Sequence, residues 1–155
     1  MTTLIRRARR DDADELSRVA LLSKQSNGYD DAFMAACEDE LLVTPELIDA
    51  REYWVAADQT ICGFVCLQAD RDSGWGTVSA FFVHPDCQKR GVGRLLWRAL
   101  EGSARAKGLE GLSLDADPAA EPFYVGLGFS TVGRVPSGSI PGRTLPHMQL
   151  RLLVP

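Results

Sequence analysis

Between residues 53 and 83 the chain carries three apolar, β-rich runs, at 53–57, 61–69 and 77–83, separated by polar breaks at Asp58-Gln59 and at residues 70–74. Runs of this length and spacing read as a strand meander. The third run ends at Val83-His84-Pro85, and an amphipathic helix is predicted over about 92–107, with Leu95, Leu96, Ala99 and Leu100 inward and Gly108 at its end. A meander that hands its last strand directly to a long helix commits this chain to a sheet covered by helices. All-helical folds and β-sandwiches are excluded together.

The flanking segments complete that architecture. Residues 3–8 read as an opening strand, and Asp11, Asp12, Asp14 and Glu15 supply N-cap and first-turn carboxylates for a helix that Asn27-Gly28 stops. A second helix is predicted over about 30–42, and Thr44-Pro45-Glu46 opens a short helical turn. Downstream come a strand at 112–115, a short helix within 118–127, a strand at 129–135, a loop at 136–142 and a last strand at 147–153. Pro122 removes a helical hydrogen bond, so the regular part of the short helix is expected to begin near Glu121. The sum is one mixed α/β domain.

Composition narrows the class further. The chain has 155 residues, enough for one domain with a real core, and a net charge of −4, which argues against a general nucleic-acid binder. No apolar run approaches the ~20 residues needed to span a bilayer, and the N-terminal segment lacks the features of a signal peptide. Cys37, Cys62, Cys66 and Cys87 form no C-x-x-C, and two His complete the ligand inventory, so no metal site is expected. Free, buried thiols point to a cytoplasmic protein.

Between the third strand and the long helix lies the sharpest local feature, Gln88-Lys89-Arg90-Gly91-Val92-Gly93-Arg94. Backbone N–H groups at a helix start, the positive end of its dipole, and glycines that admit close approach make an anion site. From Gln88 to Lys107 six cations face one carboxylate, a local +5 inside a chain of −4. No G-x-x-x-x-G-K-[ST] string exists, and position 96, where a dinucleotide fingerprint needs a third glycine, is Leu.

The sequence resembles the GNAT superfamily of N-acetyltransferases. That family has a strand ending in V-x-P followed by a Q/R-x-x-G-x-G/A turn, which here reads Val83-His84-Pro85 and Gln88-Lys89-Arg90-Gly91-Val92-Gly93. Its downstream F-Y-x-x-x-G-F signature reads Phe123-Tyr124-Val125-Gly126-Leu127-Gly128-Phe129. The resemblance covers nearly the whole chain. It implies one domain over 1–155, with a central, mostly antiparallel twisted sheet of six to seven strands and about four helices. It also implies acetyl-CoA as cosubstrate, held by Phe82, Val83, Gln88, Lys89, Arg90, Gly91, Val92, Gly93, Arg94, Asp117 and Tyr124. Asp117 stands where the family often has Asn, and as an acceptor it suits the N-cap position before Pro118. Many members pair through their sheets, so the resemblance admits a homodimer.

Acetyl transfer to an amine needs a base, an oxyanion donor and an acid for the leaving sulfur. A free alkyl amine has a pKa of ~10.4, so fewer than about one molecule in a thousand is neutral at pH 7. Tyr124 matches the family tyrosine near the thioester sulfur, and a phenol stays protonated at neutral pH. The backbone N–H of Val83 matches the oxyanion donor. The base departs from the pattern, because residues 77–82 hold none of the carboxylates that many members carry on this strand. A water-relayed base ordered by Ser79 is expected, with His84 pointing away after Val83 and Glu38 and Asp39 read as solvated.

Acceptor specificity is expected from Asn27, Tyr29 and Phe33 in the early helices and from Ser137, Ser139 and Arg143 in the late loop. The loop hydroxyls and guanidinium suit an anionic acceptor, whereas Asp30, Asp31, Glu38 and Asp39 suit a cationic polyamine. The expected reaction is acetyl transfer to a primary amine of a small molecule. The alternatives are a CoA sensor without turnover and a protein-lysine or N-terminal acetyltransferase; an NAD(P)-binding oxidoreductase would bind NAD(P) rather than CoA.

Overall fold

The meander forms as β2 (Glu52–Asp58), β3 (Thr60–Asp70) and β4 (Trp75–Val83), paired antiparallel in order. The computed structural model describes residues 2–153; Met1, Val154 and Pro155, at the ends of the expected domain, lie outside them. An opening strand β1 (Leu4–Arg7) pairs with β2, and β5 (Gly111–Asp115) runs parallel to β4. The hairpin of β6 (Ser130–Pro136) and β7 (Thr144–Arg151) completes a seven-stranded sheet in the order β1-β2-β3-β4-β5-β7-β6. The fold is mixed α/β with a mostly antiparallel sheet, as expected from the sequence.

Both faces of the sheet are covered. On one face lie α1 (Ala13–Gln25), α2 (Asp31–Leu41) and α3 (Pro45–Ala50). Their residues Leu16, Val19, Met34, Cys37 and Ile48 join one apolar cluster with Tyr53, Val55, Phe64 and Cys66. On the other face α4 (Val92–Ala106) buries Leu96, Trp97, Leu100 and Ala104 with Val65, Leu67, Leu112 and Met148. Burial on both sides explains why β3 is apolar almost throughout instead of alternating. Each fully buried Leu or Phe contributes roughly 1.5–3 kcal/mol.

Five α-helices appear where about four were expected; the added one is α3, which continues the turn opened by Thr44-Pro45. The Thr44 hydroxyl accepts from the Leu47 amide at 3.1 Å, which fixes that start. Asp12 stands at the N-terminus of α1 but caps no helix amide. Its carboxylate instead takes the Arg6 guanidinium at 2.8 Å and the Arg9 amide at 2.7 Å, tying β1 to the helix start. Those partners hold the Asp12 carboxyl below its ordinary value, Arg6 foremost and against the effect of burial. The last helix, α5 (Glu121–Gly126), begins at Glu121, where Pro122 requires it to.

The last strand begins at Thr144, not at 147, and ends at Arg151, not at 153. Thr144, Leu145 and Pro146 pair with Pro136, Val135 and Arg134 of β6. Pro146 is tolerated because its carbonyl is the group in use, accepting from the Ala116 amide at 2.9 Å. Leu152 and Leu153 leave the ladder because both amides turn to the Glu110 carbonyl.

One irregularity positions the site. Ala80 pairs with Cys66 but Val78 pairs with Leu67, so Ser79 is an extra residue bulged out of β4. β4 meets β5 only through Trp75–Thr77. The two parallel strands separate where the bulge begins, and a gap opens in the middle of the sheet.

Candidate active site

The ladder between β3 and β4 determines which backbone groups face that gap. The His84 amide donates to the Cys62 carbonyl at 2.7 Å. With Val83 opposite Gly63 and Phe82 opposite Phe64, antiparallel alternation turns the N–H groups of Phe81 and Val83 away from β3. They point toward the gap. Gly63 is needed for this geometry: a Cβ there would lie 2.7 Å from the Phe82 carbonyl oxygen and 3.2 Å from the Val83 Cα.

The gap widens into a cleft of about 900 Å³. On the α4 side it is walled by the turn after β4. Lys89 and Gly91 both have positive φ, 64° and 79°, which folds the backbone into a concave arc ahead of the helix. The first amides of α4 have no acceptor within the helix, and nothing lies within 4 Å of a Cβ built on Gly91. Gln88, Lys89, Gly91, Val92, Gly93 and Arg94 all line the cleft, as do Phe82 and Val83. Arg90 does not line it; the side chain is exposed and lies near Cys87. The arc, the open amides and two facing cations fit a pyrophosphate.

Tyr124 enters the cleft from α5. Its ring packs at 5.4–5.9 Å from those of Phe81, Phe123 and Phe129, and the residue is buried. Burial, seconded by the Asp117 charge, pushes its pKa well above that of a free phenol. The hydroxyl therefore holds its proton throughout the neutral range. Ser79 also lines the cleft and is exposed there. His84 is turned out of the cleft, with Nδ1 accepting from the Asp86 amide at 3.0 Å.

Of the acceptor candidates, Asn27 and Asp39 line the cleft. Tyr29, Phe33 and Arg143 form a latch beside it instead, whose hub is Asp117. Tyr29 donates to Asp117 at 2.8 Å, Lys24 reaches the same carboxylate at 3.1 Å, and Arg143 donates to the Tyr29 oxygen at 2.7 Å. The Tyr29 and Phe33 rings stack at 4.0 Å, with Lys24 and Arg143 both within 6 Å of their centroids. Arg143 already has its carboxylate. Ser137 and Ser139 are likewise occupied: Ser137 caps its own turn by accepting from Ile140 at 3.1 Å, and Ser139 donates to Glu40 at 3.1 Å.

Asp117 also caps its short 3-10 turn by accepting from the Ala119 amide at 2.9 Å. Burial pushes its carboxyl up, but the Ala119 amide, the Tyr29 hydroxyl and the Lys24 ammonium outweigh that and leave it below the ordinary value. A depressed carboxyl stabilises the fold above its unfolded pKa of ~3.9, and that contribution is lost as pH falls through the folded value. Asp117→Asn keeps the cap and loses the charge. Its Tm is expected below wild type at pH 7, with the difference shrinking as pH falls below about 4; thermal melts across pH 3–7 measure it.

The profile of the acetyltransferase (GNAT) domain matches residues 16–152. The chain belongs to the GNAT family of acetyltransferases. A search of the curated proteins finds no match to this sequence. Among solved structures, the GNAT domain superposes on the PaiA N-acetyltransferase of Thermoplasma acidophilum in complex with coenzyme A, with a TM-score of 0.80 at 19% identity, covering 97% of this chain and 99% of that one. An acetyltransferase of the GNAT family from Staphylococcus aureus gives 0.73 at 20% identity, covering 98% and 100%. The yncA protein of Salmonella typhimurium with its cofactor acetyl-CoA gives 0.70 at 19%, covering 99% and 96%. At these identities the likeness is one of fold, and the GNAT domain's own residues must carry the chemistry.

The latch around Asp117 is not legible in the sequence. Asp117 reads as a cap and, through the resemblance, as a cofactor residue; its latch partners lie 26 to 93 positions away in the chain and leave no local signal.

Proposed function

We propose that residues 1–155 form one cytoplasmic acetyltransferase domain that moves an acetyl group directly from acetyl-CoA to a primary amine of a small molecule. The observation that carries this reading is the split between β4 and β5, which sets the outward Val83 amide, the buried Tyr124 hydroxyl and the α4 turn around one cleft. Bound there, acetyl-CoA supplies an activated acetyl group. Gln88, Lys89, Gly91, Val92, Gly93 and Arg94 would hold its pyrophosphate, with Phe82, Val83 and Asp117 beside the pantetheine arm.

The Val83 N–H donates to the carbonyl oxygen of the acetyl group as charge develops on it. Tyr124, kept protonated by burial, donates its proton to the departing sulfur. Ser79, exposed at the bulge, orders the water that takes the proton from the incoming amine. Asp39 and Glu40 line the same half of the cleft and are the carboxylates nearest in kind to a final proton acceptor. Among the described residues no helix is long and apolar enough to cross a membrane.

The test is free-thiol release from acetyl-CoA against a panel of small amines, with the acetylated amine identified by mass spectrometry. Turnover on at least one small amine is expected. CoA binding without turnover on any amine would favour the sensor, and turnover restricted to peptides would favour a protein acceptor.

A further inference from the structure

The two faces of the split sheet divide the cleft. The α4 turn occupies one side, so an acceptor must come from the side of α1–α3. That half is walled by Leu41, Leu42, Val43 and Leu47, floored by Tyr53 and Phe64, and carries Asp39 and Glu40. It also contains one guanidinium, that of Arg51, at the C-terminal end of α3.

Arg51 differs from every other cation lining the cleft. Lys24 is committed to Asp117 at 3.1 Å, and Lys89 and Arg94 belong to the pyrophosphate turn. Among the described residues Arg51 makes no ion pair, and its neighbour Glu52 is already taken by Lys107 at 2.7 Å. Arg51 stands two residues before Tyr53, Tyr53 pairs across the ladder with Cys66, and Cys66 pairs with Ala80 beside the bulged Ser79. Burial pushes the Cys66 thiol up, so it is no nucleophile here. These residues follow one path across the sheet from Arg51 to the bulge, and Arg51, Tyr53 and Ser79 all line the cleft. The amine is expected to react at the bulge end. A half-buried guanidinium without a carboxylate stands at the other.

Resting on the acetyl-transfer reading above, we infer that the acceptor is an amine bearing an anionic group and an apolar body, with Arg51 as the residue that binds the anion. A planar fork of N–H donors suits a carboxylate or a phosphoryl group. Leu41, Leu42, Val43 and Leu47 suit an aliphatic side chain, and Asp39 and Glu40 attract the ammonium on approach. An α-amino acid such as leucine has all three elements. Arg51 sets acceptor specificity; it takes no part in proton transfer.

The test compares initial rates with leucine, its aminophosphonate analogue and 3-methylbutylamine, which is leucine without the carboxylate. Wild-type kcat/KM is expected to favour an anionic acceptor over 3-methylbutylamine by at least about tenfold, in line with hydrogen bonds to charged groups. The phosphonate arm tells a phosphoryl preference from a carboxylate one. Arg51→Met should raise KM for the anionic acceptor by about 10–100-fold, leaving KM for acetyl-CoA and for 3-methylbutylamine unchanged. Arg51→Lys should restore part of the loss. Calorimetric titration of N-acetylleucine should show the same weakening in Arg51→Met. Equal use of leucine and 3-methylbutylamine, or an unchanged anion KM in a folded Arg51→Met, overturns the inference while leaving acetyl transfer in place. Turnover only on other amines, such as polyamines, does the same. No acetyl-CoA consumption with any amine overturns the acetyl-transfer reading itself and this inference with it.

Discussion

Tyr124→Phe is expected to lower kcat by about 10²–10⁴, the range over which a positioned general acid acts. The change removes one oxygen from a ring already packed against Phe81, Phe123 and Phe129. The packing is kept, so CoA affinity and Tm should move little. The prediction separates two roles for this side chain. A mere aromatic brace would lose nothing on conversion to Phe; a proton donor loses its proton. Because burial holds the hydroxyl protonated, the wild-type rate should show no loss of this acid up to the upper limit of enzyme stability in base. Stopped-flow thiol release in the two proteins, with CoA binding measured alongside, checks both halves.

A large effect on the fold is expected at Gly63. A Cβ there would stand 2.7 Å from the Phe82 carbonyl oxygen, 3.1 Å from Leu96 Cδ1 and 3.2 Å from the Val83 Cα. Two of these three atoms are backbone, so β4 itself must move. Overpacking of this kind costs roughly 1–3 kcal/mol, and for a chain of this length each kcal/mol shifts Tm by about 2–4 °C. Gly63→Ala should therefore melt several degrees lower. It should also lose activity beyond what stability explains, because the displaced strand carries the Val83 amide that faces the gap. Gly91→Ala makes the contrast: nothing within 4 Å opposes its Cβ, but its φ of 79° disfavours any side chain. Its cost is expected mainly in CoA affinity, read by calorimetry, since the arc it completes is the one proposed to hold the pyrophosphate.

What could be read from the chain depended on how local the physics was. The meander, the long helix and the glycine turn between them each rest on residues close in sequence, and each formed where it was expected. The shift of the last strand to Thr144 was hidden by Pro146, a residue that argues against a strand until its carbonyl is seen to be the group in use. The bulge at Ser79 was invisible, since one added residue leaves no mark in an apolar run. The acceptor wall was the least legible. Arg143 and Arg51 are equivalent as letters, and only the fold shows that Asp117 and Tyr29 engage the first while, among the described residues, no ion pair holds the second. Long-range pairing of this kind, 114 positions apart for Arg143 and Tyr29, has no local signature.

The opened sheet is the centre of the account: β4 and β5 part at Thr77, and the cleft between them is where acetyl-CoA and an amine are proposed to meet. The most direct measurement is release of free CoA thiol from acetyl-CoA, run with and without amine on the wild-type chain and on Tyr124→Phe. Thiol release that requires the amine, yields the acetylated amine and falls by about a hundredfold or more in the variant is the predicted result. Tight CoA binding with no amine-dependent thiol release, or release that Tyr124→Phe leaves unchanged, would contradict it.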